Sequence, residues 1–379
     1  MADNHIHIIA LEIPYPPLRG NVIGIYHRIK SLYEAGVSIT LHAYYKKLSF
    51  PEELTAYCKF VYLYPRKSIW RLANLKFPLY VQSRRAGALL ERLSKDSDPI
   101  WFEGLHTLFH FEDMILKGRK KYIRMHNVES IYYNHLAHSS SSLLKKIYYY
   151  WESTRSKWLE NKLLSQADGL FAISREETDL FNNSGINARW LPPFHPHTEV
   201  LNLTGSGDYA IYHGDLSIKE NEDAALFLIN EVFEKIELPL VIAGHAPSKR
   251  LIKRIHIAPN VTLIQSPAWD KMNQLIQGAH IVLLPFSQTT GYKMKMIDSL
   301  ALGRHIITSE IMKVHDEWNG LVYLADSSSQ WSQLIKELKG VPFTATDCLA
   351  RKTLFDTLLN NRINAQHIID HVFPASVLG

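Results

Sequence analysis

Short apolar runs alternate along the chain with longer amphipathic stretches. Residues 6–13 form an apolar run that predicts a β-strand. A turn rich in Pro and Gly follows, then a helical pattern over residues 24–35. Residues 37–44, 57–64, 100–103, 122–126 and 170–173 read as further strands, with helical stretches between them. The segment 192–207, PPFHPHTEVLNLTGSG, breaks the pattern and reads as a linker. Beyond it the alternation restarts, with strands at 209–212, 238–243, 261–264, 281–285 and 305–308 and a helix at 222–236. Strand–helix alternation implies βαβ units and a mostly parallel sheet. The expected fold class is α/β, two tandem Rossmann-like domains facing a central cleft. The expected domains are residues 1–193 and 208–379, joined by residues 194–207, with the last helix free to return to the first domain.

Composition narrows the function class. The chain has 379 residues, 46% of them hydrophobic and 21% charged, so a large core is available and disorder is not expected. Cys58 and Cys348 belong to no CxxC pair, which excludes a disulfide framework and a structural zinc site of the usual spacing. No run approaches the ~20 apolar residues of a membrane span. A cytoplasmic chain is expected, either free or peripheral to the inner face of the membrane. The net charge of +5 is unevenly spread. Residues 1–193 hold 26 Lys and Arg against 18 Asp and Glu, and residues 194–379 hold 16 against 19. A basic first half suggests an anionic partner there.

Several chemistries are excluded by missing motifs. No GxGxxG follows the first strand, and there is no P-loop, HExxH or GxSxG. Asp96-Ser97-Asp98 is a DxD tripeptide in a polar stretch before a strand, and reads as a solvated turn rather than a metal site. No recognised nucleic-acid-binding motif is present.

The informative segment is 283–309, LLPFSQTTGYKMKMIDSLALGRHIITS. A buried strand gives way to a polar loop with Gly291, then to a helix carrying Lys293, Lys295 and Asp298 that stops at Gly303. A loop leading into a helix N-terminus offers N–H groups and a positive dipole end, which suits a diphosphate. Lysines at a helix start oppose the dipole, so an anionic ligand explains them. An ordinary amphipathic helix with solvated lysines is the competing reading.

This segment resembles the donor-binding motif of retaining GT-B glycosyltransferases, especially family 4, whose pattern runs Gly-x-Arg/Lys-x-Lys-x-x-Glu-Ala-x-Ala-x-Gly. Gly291, Lys293, Lys295, the acid at Asp298, Ala301 and Gly303 match. Thr290 stands where the family has a sugar-facing glutamate, and Asp298 where it has a ribose-binding one. Residues 212–221 resemble the loop that faces the diphosphate, through Gly214 and Asp215. Residues 241–249 resemble the next βα loop, through Gly244 and Lys249, and 266–270 the region of donor-base contacts. In the first half, His126-Asn127-Val128-Glu129 resembles the family's His-Asn-x-Glu stretch, residues 172–176 its Ile-Ser-x-x-acid stretch, and residues 16–24 its first loop.

The resemblance implies a GT-B architecture and a retaining glycosyltransferase moving a sugar from a nucleotide-diphospho-sugar to a glycan or lipid-linked acceptor. It implies surface-polysaccharide synthesis, with mannose one donor sugar that fits, and no cofactor or metal. It gives His126, Lys293 and Lys295 catalytic roles. It gives Gly20, Gly214, Asp215, Gly244, Lys249, Thr290, Gly291, Tyr292, Met294 and Asp298 donor-binding roles. Glu129 is a weaker candidate base, read against a helix first-turn acid, and Lys219 a weaker phosphate ligand. Two other readings stay open: a nucleotide-sugar epimerase or phosphorylase of the same fold, and a non-catalytic glycan- or nucleotide-binding homologue.

Two basic–aromatic stretches, 64–92 and 143–157, fit a membrane surface, and peripheral membrane contact through the basic first domain is one reading. An aromatic core face with a solvated basic face is the reading favoured for both.

Overall fold

The computed structural model describes residues 4–18, 20–68, 76–288 and 291–374. It divides into two compact units. One comprises residues 1–196, 290–292 and 359–379, the other residues 197–289 and 293–358.

The first unit is a seven-stranded parallel sheet of order β3-β2-β1-β4-β5-β6-β7. The strands are β1 His5–Ala10, β2 Ser38–Tyr45, β3 Phe60–Pro65, β4 Ile100–Glu103, β5 Lys121–Arg124, β6 Gly169–Ala172 and β7 Ala188–Trp190. Helices cover both faces, so the central strands are apolar on both sides, as parallel sheets require. Ile8, Ile9, Ile100, Trp101 and Phe102 are wholly buried. The first helix spans Gly20–Glu34 and starts at Gly20 rather than at residue 24. The helix Asn361–Val372 packs against it, with Ala365 and Ile368 in the same core as Ile25 and Ile29.

The second unit is a six-stranded parallel sheet of order β10-β9-β8-β11-β12-β13. Its strands are β8 Ala210–Asp215, β9 Leu240–His245, β10 Val261–Gln265, β11 Ile281–Leu284, β12 His305–Ser309 and β13 Tyr323–Ala325. The helix expected over 222–236 begins earlier, at Lys219, and runs regularly only to Phe227. A π turn, Leu228–Val232, and a 3-10 turn, Phe233–Lys235, complete it and bury Leu228, Val232 and Phe233.

In both units the strand order reverses beside the first strand. The switch points lie between β1 and β4 and between β8 and β11, and doubly wound sheets bind ligands at the carboxyl ends of such strands.

Candidate active site

In the second unit the switch point is built from the exits of β8 and β11. β8 ends through Gly214 and Asp215, and Asp215 turns the chain by accepting bonds from the Ser217 hydroxyl at 2.6 Å and the Ser217 N–H at 3.1 Å. Asn221, on the helix Lys219–Phe227, donates to the Asp215 carbonyl at 2.8 Å. A Cβ on Gly244 would lie 1.9 Å from the Gly214 carbonyl oxygen, so only glycine lets the exits of β8 and β9 run this close. A Cβ on Gly214 would lie 3.3 Å from the Lys295 side chain. Gly291, which groups with the first unit, has φ +67°, the left-handed region that favours glycine.

The helix Met294–Leu302 opens after β11, with Lys293 as its N-cap. Lys295 reaches back across the switch point. Its Nζ donates to Asn221 Oδ1 at 2.9 Å and to the Tyr212 hydroxyl at 3.4 Å. It also lies 5.0 Å from the Tyr212 ring centre and 5.2 Å from that of Phe286, and Lys293 Nζ lies 5.7 Å from the same Phe286 ring. Burial pushes the Lys295 ammonium down to about 8, with Glu220 opposing the shift and Lys293 adding to it. Burial lowers Lys293 as well. The simple picture of solvated lysines therefore fails: two partly desolvated cations share one aromatic ring at a helix start.

Other expected donor-side residues are scattered differently. Asp298 accepts a bond from His197 Nε2 at 2.8 Å. Lys249 is exposed at the start of the helix Lys249–His256, which Ser248 caps. Lys219 pairs with Asp223 on its own helix, at the exposed surface. Met294 is the first helical residue and Tyr292 is buried. Thr290 lies outside the described residues. Ala246 and Ser266, at the exits of β9 and β10, both have φ +46°, unusual for residues with a Cβ. Such strain concentrates at functional loops.

In the first unit His126 follows β5, and its Nε2 donates to Glu103 Oε2 at 2.9 Å. Glu103 ends β4 and is fully buried. Its other oxygen accepts from Trp101 Nε1 at 2.9 Å and from Arg28 of the first helix. Burial alone would raise the Glu103 carboxyl, but Arg28 and His126 outweigh it and hold it at about 2. An ionised Glu103 can only accept, so the His126 proton sits on Nε2. Burial lowers His126, with Glu103 partly opposing, so the ring is neutral. Its Nδ1 bonds to no described residue and offers a lone pair. Gly104, φ +74°, makes room: a Cβ there would lie 3.3 Å from the His126 ring.

Glu129 is buried rather than a solvated first-turn acid. Burial first, and then the charges of Glu160 and Glu177, push its carboxyl up to about 8. His106 Nδ1 lies 3.7 Å from it. Gly20 is an exposed helix-start residue.

The DxD tripeptide is not a free solvated turn. Asp98 Oδ2 pairs with His5 at 2.6 Å, and Asp96 takes both His7 and Arg119. Among the described residues, His5, His7 and Asp98 bring ligand atoms within 4.8 Å of one another. They lie at the amino ends of the strands, opposite the carboxyl edges that hold the site. Their hydrogen bonds to Thr40, His42 and Asp96 already satisfy them.

Some site residues carry no sequence signal of their own. Glu103 reads as the end of an apolar strand, and His197 as part of a linker. Phe286 follows the β11 run without distinction. Only their placement by the sheet reveals them.

Comparison with known proteins bears on the same segment. Residues 207–339 match the family described as glycosyl transferases group 1. An uncharacterized 44.6 kDa protein in the cps region of Klebsiella pneumoniae is 28% identical over 330 residues, covering 81% of this chain and 83% of that protein. Among solved structures, sucrose-phosphate synthase from Thermosynechococcus elongatus superposes with a TM-score of 0.72 at 12% identity, covering 96% of this chain and 97% of that one. Anabaena HepE in complex with UDP and glucose superposes with a TM-score of 0.67 at 12% identity, covering 96% and 98%. Likeness at that identity establishes the fold, which is GT-B.

Proposed function

We propose that the chain, which carries a group 1 glycosyl transferase match over residues 207–339, is a glycosyltransferase that moves a hexose from a nucleotide-diphospho-sugar to a glycan or lipid-linked acceptor, with retention of anomeric configuration. The observation that carries the reading is Lys295. A cation held at about 8 by burial, above two glycine-lined strand exits at the switch point, is stabilised by an anion. In the proposed reaction the acceptor oxygen bonds to the anomeric carbon as the bond to the phosphate oxygen breaks. The acceptor proton passes to the leaving diphosphate. Lys293, Lys295 and the N–H groups of the loop at Gly214 neutralise the charge that develops there, the contribution expected to be largest. These groups supply the positive charge without a divalent ion. Asp298, braced by His197, accepts a donor hydroxyl. In the first unit His126 Nδ1 accepts from a sugar hydroxyl, its tautomer set by Glu103.

The cps-region relative supports surface-polysaccharide synthesis as the setting. UDP-glucose and GDP-mannose head the donor panel, the first because HepE was solved with UDP and glucose. The experiment is donor turnover with UDP-, GDP-, ADP- and CMP-sugars, polyprenyl-phosphate-linked and free glycan acceptors, and NMR of the product. Transfer from one donor, with the anomeric configuration kept and activity unchanged by EDTA, is expected. An inverted product, or interconversion of donor sugars without an acceptor, overturns the reading.

A further inference from the structure

The helices Glu129–Ser139 and Leu143–Leu163 form a hairpin in the first unit. The second helix is anchored through its carboxyl half, where Arg155, Ser156, Leu159, Glu160 and Leu163 are buried. Its amino half is uncovered. Leu143 is 71% exposed, Leu144 80%, Ile147 60% and Tyr150 64%. With Trp151 and Trp158, also exposed, these positions recur at three- and four-residue spacing and form one stripe along the helix. An apolar stripe facing outward is the reverse of the aromatic core face expected for this segment.

The charge around the stripe has one sign. Lys145, Lys146 and Lys157 are exposed. The only carboxylates of residues 129–158 are Glu129 and Glu152, and both are buried. Glu152 is occupied by the Leu79 N–H and by Arg155. A groove of about 880 Å³ runs between the two helices, lined by Ala137, Leu144, Lys146, Ile147 and Trp151. A second copy of the chain would set lysine against lysine across a self-complementary face. An anionic partner with an apolar interior meets both demands.

We propose that this hairpin seats the first unit on an anionic lipid bilayer. Leu143, Leu144, Ile147 and Trp151 enter the headgroup boundary, and the lysines pair with lipid phosphates. Interfacial helices bind through this combination of apolar area and cationic rim. No described helix is long and apolar enough to cross a membrane, so the contact is peripheral.

The test is flotation of the full chain with phosphatidylcholine vesicles, with and without about 30% phosphatidylglycerol, at low and high salt. Binding to the anionic vesicles alone, weakened by salt, is expected. Leu144→Ser/Ile147→Ser and Lys146→Glu/Lys157→Glu are each expected to weaken it at least about tenfold, with the circular dichroism spectrum unchanged. Absence of flotation with anionic vesicles overturns the proposal. So does flotation that neither variant alters, or a dimer in sedimentation velocity that Leu144→Ser/Ile147→Ser dissociates. Vesicle binding needs no donor sugar, so its outcome is independent of the reaction proposed above.

Discussion

Replacing Lys295 by Met is expected to stabilise the unliganded protein near neutral pH. The ammonium falls from 10.5 to about 8 because it is buried. At 1.36 kcal/mol per pH unit, keeping it charged in the folded chain costs about 3 kcal/mol. Met removes that cost and keeps most of the apolar contact with Tyr212 and Phe286. It forfeits the bonds to Asn221 and Tyr212, each worth about 1 kcal/mol net. The balance is a gain of roughly 1 kcal/mol, or about 2–4 °C in the melting transition of a unit of this size. The sign of the pH dependence follows from the depressed folded value. Between about 8 and 10.5 the unfolded chain binds the proton that the folded chain has released, so wild-type stability rises with pH there. The advantage of Lys295→Met should therefore shrink above pH 8, vanish about one pH unit higher and reverse toward pH 10.5. Differential scanning calorimetry of both proteins from pH 7 to 10.5 measures this. A variant that is less stable at pH 7, or a gain that does not change with pH, would refute the assignment of a desolvated cation.

Glu103→Gln should cost about 3 kcal/mol, because it leaves Arg28 buried without its counter-charge. The wild type should lose a similar amount as pH falls from 4.5 toward 2 and the carboxylate takes its proton, and urea unfolding of the variant should lack that loss. Glu129→Gln should have the opposite pH signature. With a folded carboxyl at about 8, wild-type stability falls as pH rises from 4.5 to 8, and a variant whose pH–stability curve keeps that slope would contradict the burial argument. Gly244→Ala should destabilise by roughly 3 kcal/mol, since its Cβ collides with the Gly214 backbone, and a lower thermal unfolding midpoint should show it.

The strands were the most readable part of the chain, because parallel strands buried on both faces write themselves as apolar runs. Residues 100–103 coincide with β4, and most other strands shift by one to three residues. β7 and β13, three residues each at sheet edges, carry too little apolar signal to stand out. The helix over 222–236 broke after Phe227, because burial of Leu228 and Val232 is served by a π turn that no periodicity foretells. Lys293 and Lys295 were legible from their place after a strand. Their partners Tyr212, Asn221 and Phe286 were not identifiable as such, since only the reversal of strand order at β8 and β11 brings them together. The stretch at 143–157 misled for a related reason. A helical stripe shows which residues share a face, and says nothing of whether the fold covers it.

Thermal-shift titration of the wild type and of Lys293→Ala/Lys295→Ala with UDP, GDP, ADP and CMP tests whether the two lysines hold a diphosphate. A nucleotide at 100 times its dissociation constant should stabilise by about 2.7 kcal/mol. A shift is expected with one nucleoside diphosphate, lost in the double variant and weakening above about pH 8 as Lys295 loses its proton. Equal shifts in wild type and variant, or none with any of the four, would contradict the placement of the diphosphate at the β8–β11 switch point.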